Sequence, residues 1–306
     1  MEPSALSHLP REPSHTFLGL DPAAAPWTEA GGVVLPVPYE ATTSWGGGTR
    51  SGPGAILEAS RYIELYDQER DGEPGPELGI YTLPALELTR AGPEAAMEEL
   101  RTAYADVLRV CGERFLLMLG GEHSISAPAI LAQAERAGDR ITVLQMDAHA
   151  DLRAEYHGTP ASHASAMARV LHAADVVAVG VRGVSREEVD ASRNSPGSTL
   201  IWADEMWADD TWMDRALEAL GPRVYLTFDV DYFDPSLVPS TGTPEPGGGD
   251  WYRTLAFLRR VFREREVVGA DIVELAPVPG LHAPDFVVAK LAYKLFAYHL
   301  EARPRS

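Results

Sequence analysis

The pentapeptide Asp147-Ala148-His149-Ala150-Asp151 constrains this chain more than any other stretch. The run Ile141-Thr142-Val143-Leu144-Gln145-Met146 leads straight into it and is short and rich in β-branched residues, which predicts a buried strand. In extended chain, alternate side chains point the same way, so Asp147, His149 and Asp151 should converge on one side just past the strand's carboxyl end. On a helix, His149 would face away from the other two. Two carboxylates and an imidazole so arranged are too polar for a core. Their mutual repulsion calls for a counter-charge, and a divalent cation is the simplest one. Taken alone, the pentapeptide also fits a solvated loop rich in Asp. Two later stretches weigh against that.

With 306 residues, 45% of them hydrophobic, the chain can build a large core, and it is read as a single domain over 1–306. Residues 1 to about 28 hold many Pro, Ala and Ser without a period, and predict an arm lying on the surface or on a neighbouring subunit. A net charge of −19 argues against nucleic acid and anionic membrane as partners. It suits a small cationic substrate, although general acidity for solubility explains it equally well. Cys111 is the only cysteine, which excludes an intrachain disulfide and a thiolate metal cluster. No apolar stretch approaches the roughly 20 residues of a membrane span. Residues 1–20 carry Pro and His where a signal peptide would have its apolar segment, so a cytoplasmic protein is expected.

Strands are predicted at 32–37, 114–119, 141–146, 176–181, 199–202, 223–228 and 266–273, with 78–81 extended. Helices are predicted from Pro53 to about Tyr66, and over 93–110, 125–136, 163–172, 186–193, 207–220, 251–262 and 284–301. This alternation implies parallel βαβ units, an α/β fold. Open parallel sheets bind ligands beyond the carboxyl ends of their strands. Four strand ends offer polar groups there: His123; Asp147, His149 and Asp151; Asp229 and Asp231; and Glu274. The first six are more than one divalent ion needs. Two ions about 3.5–4 Å apart, sharing carboxylates, would use them well. A carboxylate-rich set with some imidazole suits manganese better than zinc. Any one of these acids could be a helix cap or turn residue, but six together at strand ends argue otherwise.

On these residues the sequence resembles the ureohydrolase family, which comprises arginases, agmatinases, guanidinobutyrases and formimidoylglutamases. The matching stretches are Gly120-Gly121-Glu122-His123-Ser124, Asp147 to Asp151, Phe228-Asp229-Val230-Asp231-Tyr232-Phe233-Asp234-Pro235, Gly242-Thr243-Pro244-Glu245-Pro246-Gly247-Gly248 and Asp271-Ile272-Val273-Glu274-Leu275-Ala276-Pro277. They span roughly Val33 to the C-terminus, and Glu122 stands where many members have Asp. The resemblance implies an arginase-like three-layer α/β/α sandwich with a mainly parallel sheet. It also implies two Mn²⁺ per subunit, one held by His123, Asp147, Asp151 and Asp229, the other by Asp147, His149, Asp229 and Asp231. It implies a homo-oligomer as well, trimer or hexamer. Glu274 would pair with the substrate guanidinium, a role that suits a carboxylate facing a planar fork of donors. Asp151 would carry a proton to the leaving amine. A loop histidine would shuttle protons and touch substrate: His163 occupies the family's position, while His157-Gly158-Thr159-Pro160 is locally similar and nearer Asp151. His172 and His299 are read as structural.

Arginases of this family carry Asn two positions beyond the third motif residue, where this chain has Arg153. An Arg there could receive a carboxylate-bearing substrate, as in formimidoylglutamases. The wider run Asp151-Leu152-Arg153-Ala154-Glu155-Tyr156, followed by Ser162-His163-Ala164, looks most like prokaryotic agmatinases. The expected reaction is therefore hydrolysis of agmatine, or of a longer polyamine-type guanidine, to urea and putrescine or its analogue, a step of polyamine biosynthesis. Aminopropylagmatine, guanidinobutyrate, formimidoylglutamate or arginine as substrate, a one-metal deacetylase-type amidohydrolase, and a silent polyamine-binding protein are the alternatives.

Overall fold

Strand β4 (Ile141–Met146) explains why the sheet is covered on both faces. Ile141 and Val143 enter one apolar cluster, whereas Leu144 and Met146 enter another. A strand buried on both sides belongs in a parallel sheet whose crossover helices lie above and below it. The computed structural model of the protein describes residues 16–20 and 26–303 and has that arrangement. β1 (Gly32–Val37), β2 (Ile80–Thr82), β3 (Phe115–Gly120), β4, β5 (Ala174–Val181), β6 (Ser198–Trp202), β7 (Arg223–Asp229) and β8 (Glu266–Val273) form one sheet in the order β2-β1-β3-β8-β7-β4-β5-β6. Every pair is parallel.

One face is covered by α1 (Gly52–Ser60), α2 (Pro74–Leu78), α8 (Thr211–Ala219), α9 (Trp251–Glu264) and α10 (Ala283–Ala302), through residues such as Ile56, Leu78, Trp212, Phe257 and Phe296. The other is covered by α3 (Pro93–Cys111), α4 (Ser126–Ala137) and α5 (Ala166–Val170), through Leu100, Tyr104, Ile130 and Met167. The expected α/β/α sandwich is thus borne out. Among the described residues, no helix is long and apolar enough to cross a membrane. Of the expected N-terminal arm, residues 1–15 and 21–25 lie outside the described residues. In the rest, Phe17, Leu18 and Trp27 are buried.

Three helices differ from expectation. The helix expected to run on to Tyr66 ends at Ser60, whose hydroxyl donates to Leu57 O and accepts the Leu18 N–H, so the side chain serves a tertiary contact at that point. The single helix expected over 207–220 is two, α7 (Ala203–Ala208) and α8, because Asp209 is extended and its carboxylate accepts from both the N–H and the hydroxyl of Thr211, a local turn that interrupts the helical run. That break lets Trp212 turn inward while Trp207 stays exposed. The helix expected over 163–172 shrinks to α5, preceded by a 3₁₀ turn at His163–Ser165.

The sheet order sets up the site. The strands that end at the candidate residues, β3, β8, β7 and β4, are four consecutive neighbours at the centre of the sheet. Their ends are in register: Leu119 pairs with Ile272, Ile272 with Phe228, and Phe228 with Met146. Gly121 follows β3 where the backbone of Tyr39 crosses, and a Cβ there would overlap the Tyr39 carbonyl oxygen. Gly121→Ala should therefore destabilise the fold by about 1–3 kcal/mol or more, since only backbone can yield. Thermal unfolding would show the loss, and an unchanged melting temperature would refute the close approach.

Candidate metal centre

His123 opens a 3₁₀ turn (His123–Ile125) that leads into α4, and its ring is buried. Its Nε2 lies 2.8 Å from the Thr227 hydroxyl, which donates to Asp271 Oδ1 at 2.6 Å. The Thr227 hydrogen is thereby committed, so its oxygen accepts from Nε2–H, and Nδ1 is left with the lone pair. Nδ1 faces Asp147 Oδ2 at 3.1 Å, Asp151 Oδ2 at 3.0 Å and Asp229 Oδ2 at 3.4 Å. None of these contacts has hydrogen-bond geometry, and Nδ1 has no hydrogen-bond partner. A lone pair against three carboxylate oxygens is repulsive unless positive charge lies between them, and this donor set fits a divalent cation. A proton can take the same part. Burial opposes the imidazolium, yet the ring of carboxylates outweighs it and holds His123 well above the ordinary histidine range.

The second group is built around Asp147. Its carboxylate accepts from Gln145 Nε2 at 2.7 Å and from the His149 N–H at 2.6 Å. Asp231 accepts the Ala148 N–H at 3.0 Å, and its Oδ2 sits 3.0 Å from His149 Nδ1. Asp229 accepts the Asp231 N–H at 2.9 Å. Two sets of side chains could each hold a metal ion, His123-Asp147-Asp151 and Asp147-His149-Asp231, and Asp147 belongs to both. Asp229 touches the first set through His123. All six residues singled out in the sequence thus come together.

Simple alternation does not bring them there. Asp151 has φ +51°, a left-handed conformation uncommon for a non-glycine residue. It is held by its carbonyl, which accepts the N–H groups of Met167 and Ala168 at the start of α5. Upstream, Ala148 O accepts from Arg182 and Gly183, so 147–149 runs alongside the end of β5. Burial, then the charge of Asp147, pushes the Asp151 carboxyl up to about 7.

Glu274 beside the cluster is also left-handed, at φ +66°. Its N–H donates to Gly121 O at 2.8 Å, and its Oε1 accepts the His123 N–H at 2.7 Å, which fixes the carboxylate beside the cluster. Burial, then the charge of Glu122, raises it to about 8. A cavity of about 350 Å³ opens onto Glu274, the cluster, His163, Arg153, Trp45 and Glu245. His157 is outside that lining: it sits exposed at φ +50°, stacked on Tyr156 at 4.1 Å. Of the two loop histidines, the fold brings only His163 to the cavity. Arg153 does line it, but its guanidinium is 3.7 Å from Glu188 and lies over the Tyr156 ring.

A profile of the arginase family matches residues 30–297. The chain belongs to the arginase family. It is 39% identical over 285 residues to the N(1)-aminopropylagmatine ureohydrolase of Synechocystis sp., covering 92% of this chain and 93% of that protein. It is 31% identical to the agmatinase of Bacillus subtilis over 82% of this chain and 86% of the relative. The solved structure of agmatine ureohydrolase from Thermoplasma volcanium superposes with a TM-score of 0.79 at 26% identity, covering 91% and 94% of the two chains. As an arginase-family ureohydrolase, the protein is a hydrolase acting on guanidino compounds.

Reading the sequence for ligands overlooked the residues that orient them. Gln145, Thr227 and Asp271 hold Asp147 and His123, and each is a polar residue flanked on both sides by apolar residues of its strand, a signal legible in the sequence. Glu188, which forms a capping box with Ser185 at the start of α6 (Arg186–Asn194) and accepts the Leu152 N–H, is signalled only by the Ser-x-x-Glu spacing, which points to a helix start and not to the site.

The carboxyls and imidazoles of the cluster must shed protons before a cation can bind. With Asp151 near 7 and both imidazoles held protonated, affinity of this arginase-family site for a divalent cation should rise with pH through neutrality, and binding should release protons. Calorimetry in buffers of different ionisation enthalpy would show this. Affinity and heat independent of pH and buffer would contradict it.

Proposed function

We propose that the protein hydrolyses a guanidino amine lacking a carboxylate, agmatine first among them, to urea and putrescine, with two Mn²⁺ held by His123, Asp147, His149, Asp151, Asp229 and Asp231. The observation that carries this reading is Glu274, fixed by the His123 N–H directly beside the six-residue cluster. A carboxylate there can take two donors of a guanidinium and aim its carbon at the cluster. Bound cations would supply Lewis acidity that makes water acidic near neutral pH. Water adds to the guanidinium carbon, the C–N bond to the alkyl amine breaks, and the departing nitrogen leaves as an ammonium beside neutral urea. Asp151 and His163 are the groups available to move protons from water to that nitrogen, since both line the cavity.

Arg153 supports a cationic substrate tail over an anionic one. Its pairing with Glu188 balances its charge, so it offers a carboxylate little, while Glu245 on the same cavity lining favours an ammonium. A second reading, N(1)-aminopropylagmatine in place of agmatine, is favoured by the 39% identity to a ureohydrolase of that name against 31% to an agmatinase. Either product belongs to polyamine synthesis.

Urea release from agmatine, N(1)-aminopropylagmatine, arginine, 4-guanidinobutyrate and formimidoylglutamate, with manganese present, tests both. A carboxylate-free guanidine should exceed arginine in kcat/KM by at least about 100-fold, because an unmatched buried carboxylate costs several kcal/mol. A carboxylate-bearing substrate that wins, with its preference abolished by Arg153→Ala, would overturn the specificity and leave the ureohydrolase assignment standing.

Two substitutions separate metal from substrate. Asp229→Ala should abolish both activity and metal loading. Glu274→Ala should lose most activity yet keep two manganese ions per chain by metal analysis. Loss of metal from Glu274→Ala would place Glu274 among the ligands instead.

A further inference from the structure

The His163 ring is held from behind by a chain of hydrogen bonds that the proposed reaction does not itself require. Glu122 is fully buried, and four donors converge on its carboxylate. Oε2 accepts the N–H groups of Ala41 and Thr42, each at 2.6 Å; Oε1 accepts the hydroxyls of Thr42 at 2.7 Å and Ser124 at 2.6 Å. The Thr42 hydroxyl oxygen in turn meets His163 twice, accepting its backbone N–H at 3.1 Å and lying 3.3 Å from ring Nδ1.

A threonine hydroxyl has one hydrogen and two acceptor sites. The hydrogen goes to the Glu122 carboxylate, which only accepts. Both acceptor sites then face His163, and Nδ1 must bring the proton to that contact. From this we infer that Thr42 and Glu122 are positioning residues that lock His163 in the Nδ1–H tautomer, leaving Nε2 as the ring nitrogen with a free lone pair on the cavity lining. The inference rests on His163 moving protons in the proposed reaction. It also explains why the loop at 41–42, distant in sequence from every ligand, is tied to the residue that precedes His123.

Two substitutions act on the lock in different ways. Thr42→Val keeps the shape and removes the acceptor; Thr42→Ser restores it. Glu122→Gln keeps acceptance of the two backbone N–H groups through its amide oxygen but turns its NH₂ toward Thr42. The hydroxyl must then accept from the amide and offer its own hydrogen to Nδ1, which favours the opposite tautomer.

The experiment measures kcat and KM for urea release from agmatine and from N(1)-aminopropylagmatine by the manganese-loaded enzyme, with metal content checked for each variant. His163→Ala should lower kcat by about 100-fold, the usual scale of a lost proton-transfer group. Thr42→Val and Glu122→Gln should each lower kcat at least about tenfold with KM moving less than about threefold and both metals retained, and Thr42→Ser should return to within about threefold of wild type. Added to His163→Ala, Thr42→Val should cost nothing further, because the two act as one unit. If His163→Ala is harmless, or wild type releases no urea from either compound, the reading of the reaction fails and the lock with it. If His163→Ala is impaired but Thr42→Val stays within about twofold of wild type, if Thr42→Ser is as poor as Thr42→Val, or if the two losses multiply, the lock alone is overturned.

Discussion

Everything at the carboxyl edge of this sheet answers to one constraint, the repulsion among four buried carboxylates packed with two imidazoles. Such a set is stable only if positive charge is supplied and if each acid is otherwise saturated with donors. The fold supplies donors to three of the four. Backbone N–H groups of Ala148, His149 and Asp231 donate to Asp231, Asp147 and Asp229 respectively, and Gln145 adds a side-chain donor to Asp147. Among the described residues, no donor supplies charge at the lone pair of His123, where three carboxylate oxygens meet.

Two residues hold left-handed backbone to make this geometry, Asp151 and Glu274. For non-glycine residues such conformations cost on the order of 1–3 kcal/mol each and persist where surrounding contacts over-determine them. Those contacts are visible. Asp151 is fastened by the first N–H groups of α5, and Glu274 by Gly121 O and the His123 N–H. In both cases the strain turns a carboxylate off its strand direction and toward the cluster. The same bond from His123 to Glu274 therefore couples a metal-ligand candidate to the group expected to grip substrate.

Charges around the cavity are paired in ways that the chain order does not announce. Read along the chain, Arg153 looked able to receive a carboxylate. In space it answers to Glu188, a residue 35 positions away that also caps α6 and takes the Leu152 N–H. The loop histidines divide on similar grounds. His157 sits at a tight, left-handed turn stacked on Tyr156, while His163 follows a serine cap and is gripped by Thr42.

The sequence by itself determined the α/β class, nearly every strand, the six cluster residues and Glu274. The physical reason is that these signals are local: β-branched runs announce buried strands, and acids and histidines at strand ends have no place in a core. The boundaries it missed at Ser60 and Asp209 are set by side-chain hydrogen bonds, to Leu18 far along the chain and to Thr211 in a local turn, and intrinsic helix preference does not report them. Only the tertiary structure decided the strand order that makes β3, β8, β7 and β4 neighbours, since nothing in a strand's own composition names its partner. It alone decided the left-handed turn at Asp151, the pairing of Arg153 with Glu188, and the exclusion of His157 from the cavity. Each of these depends on a hydrogen bond or ion pair between residues far apart in the chain, and such pairings exist only once the sheet has closed around them.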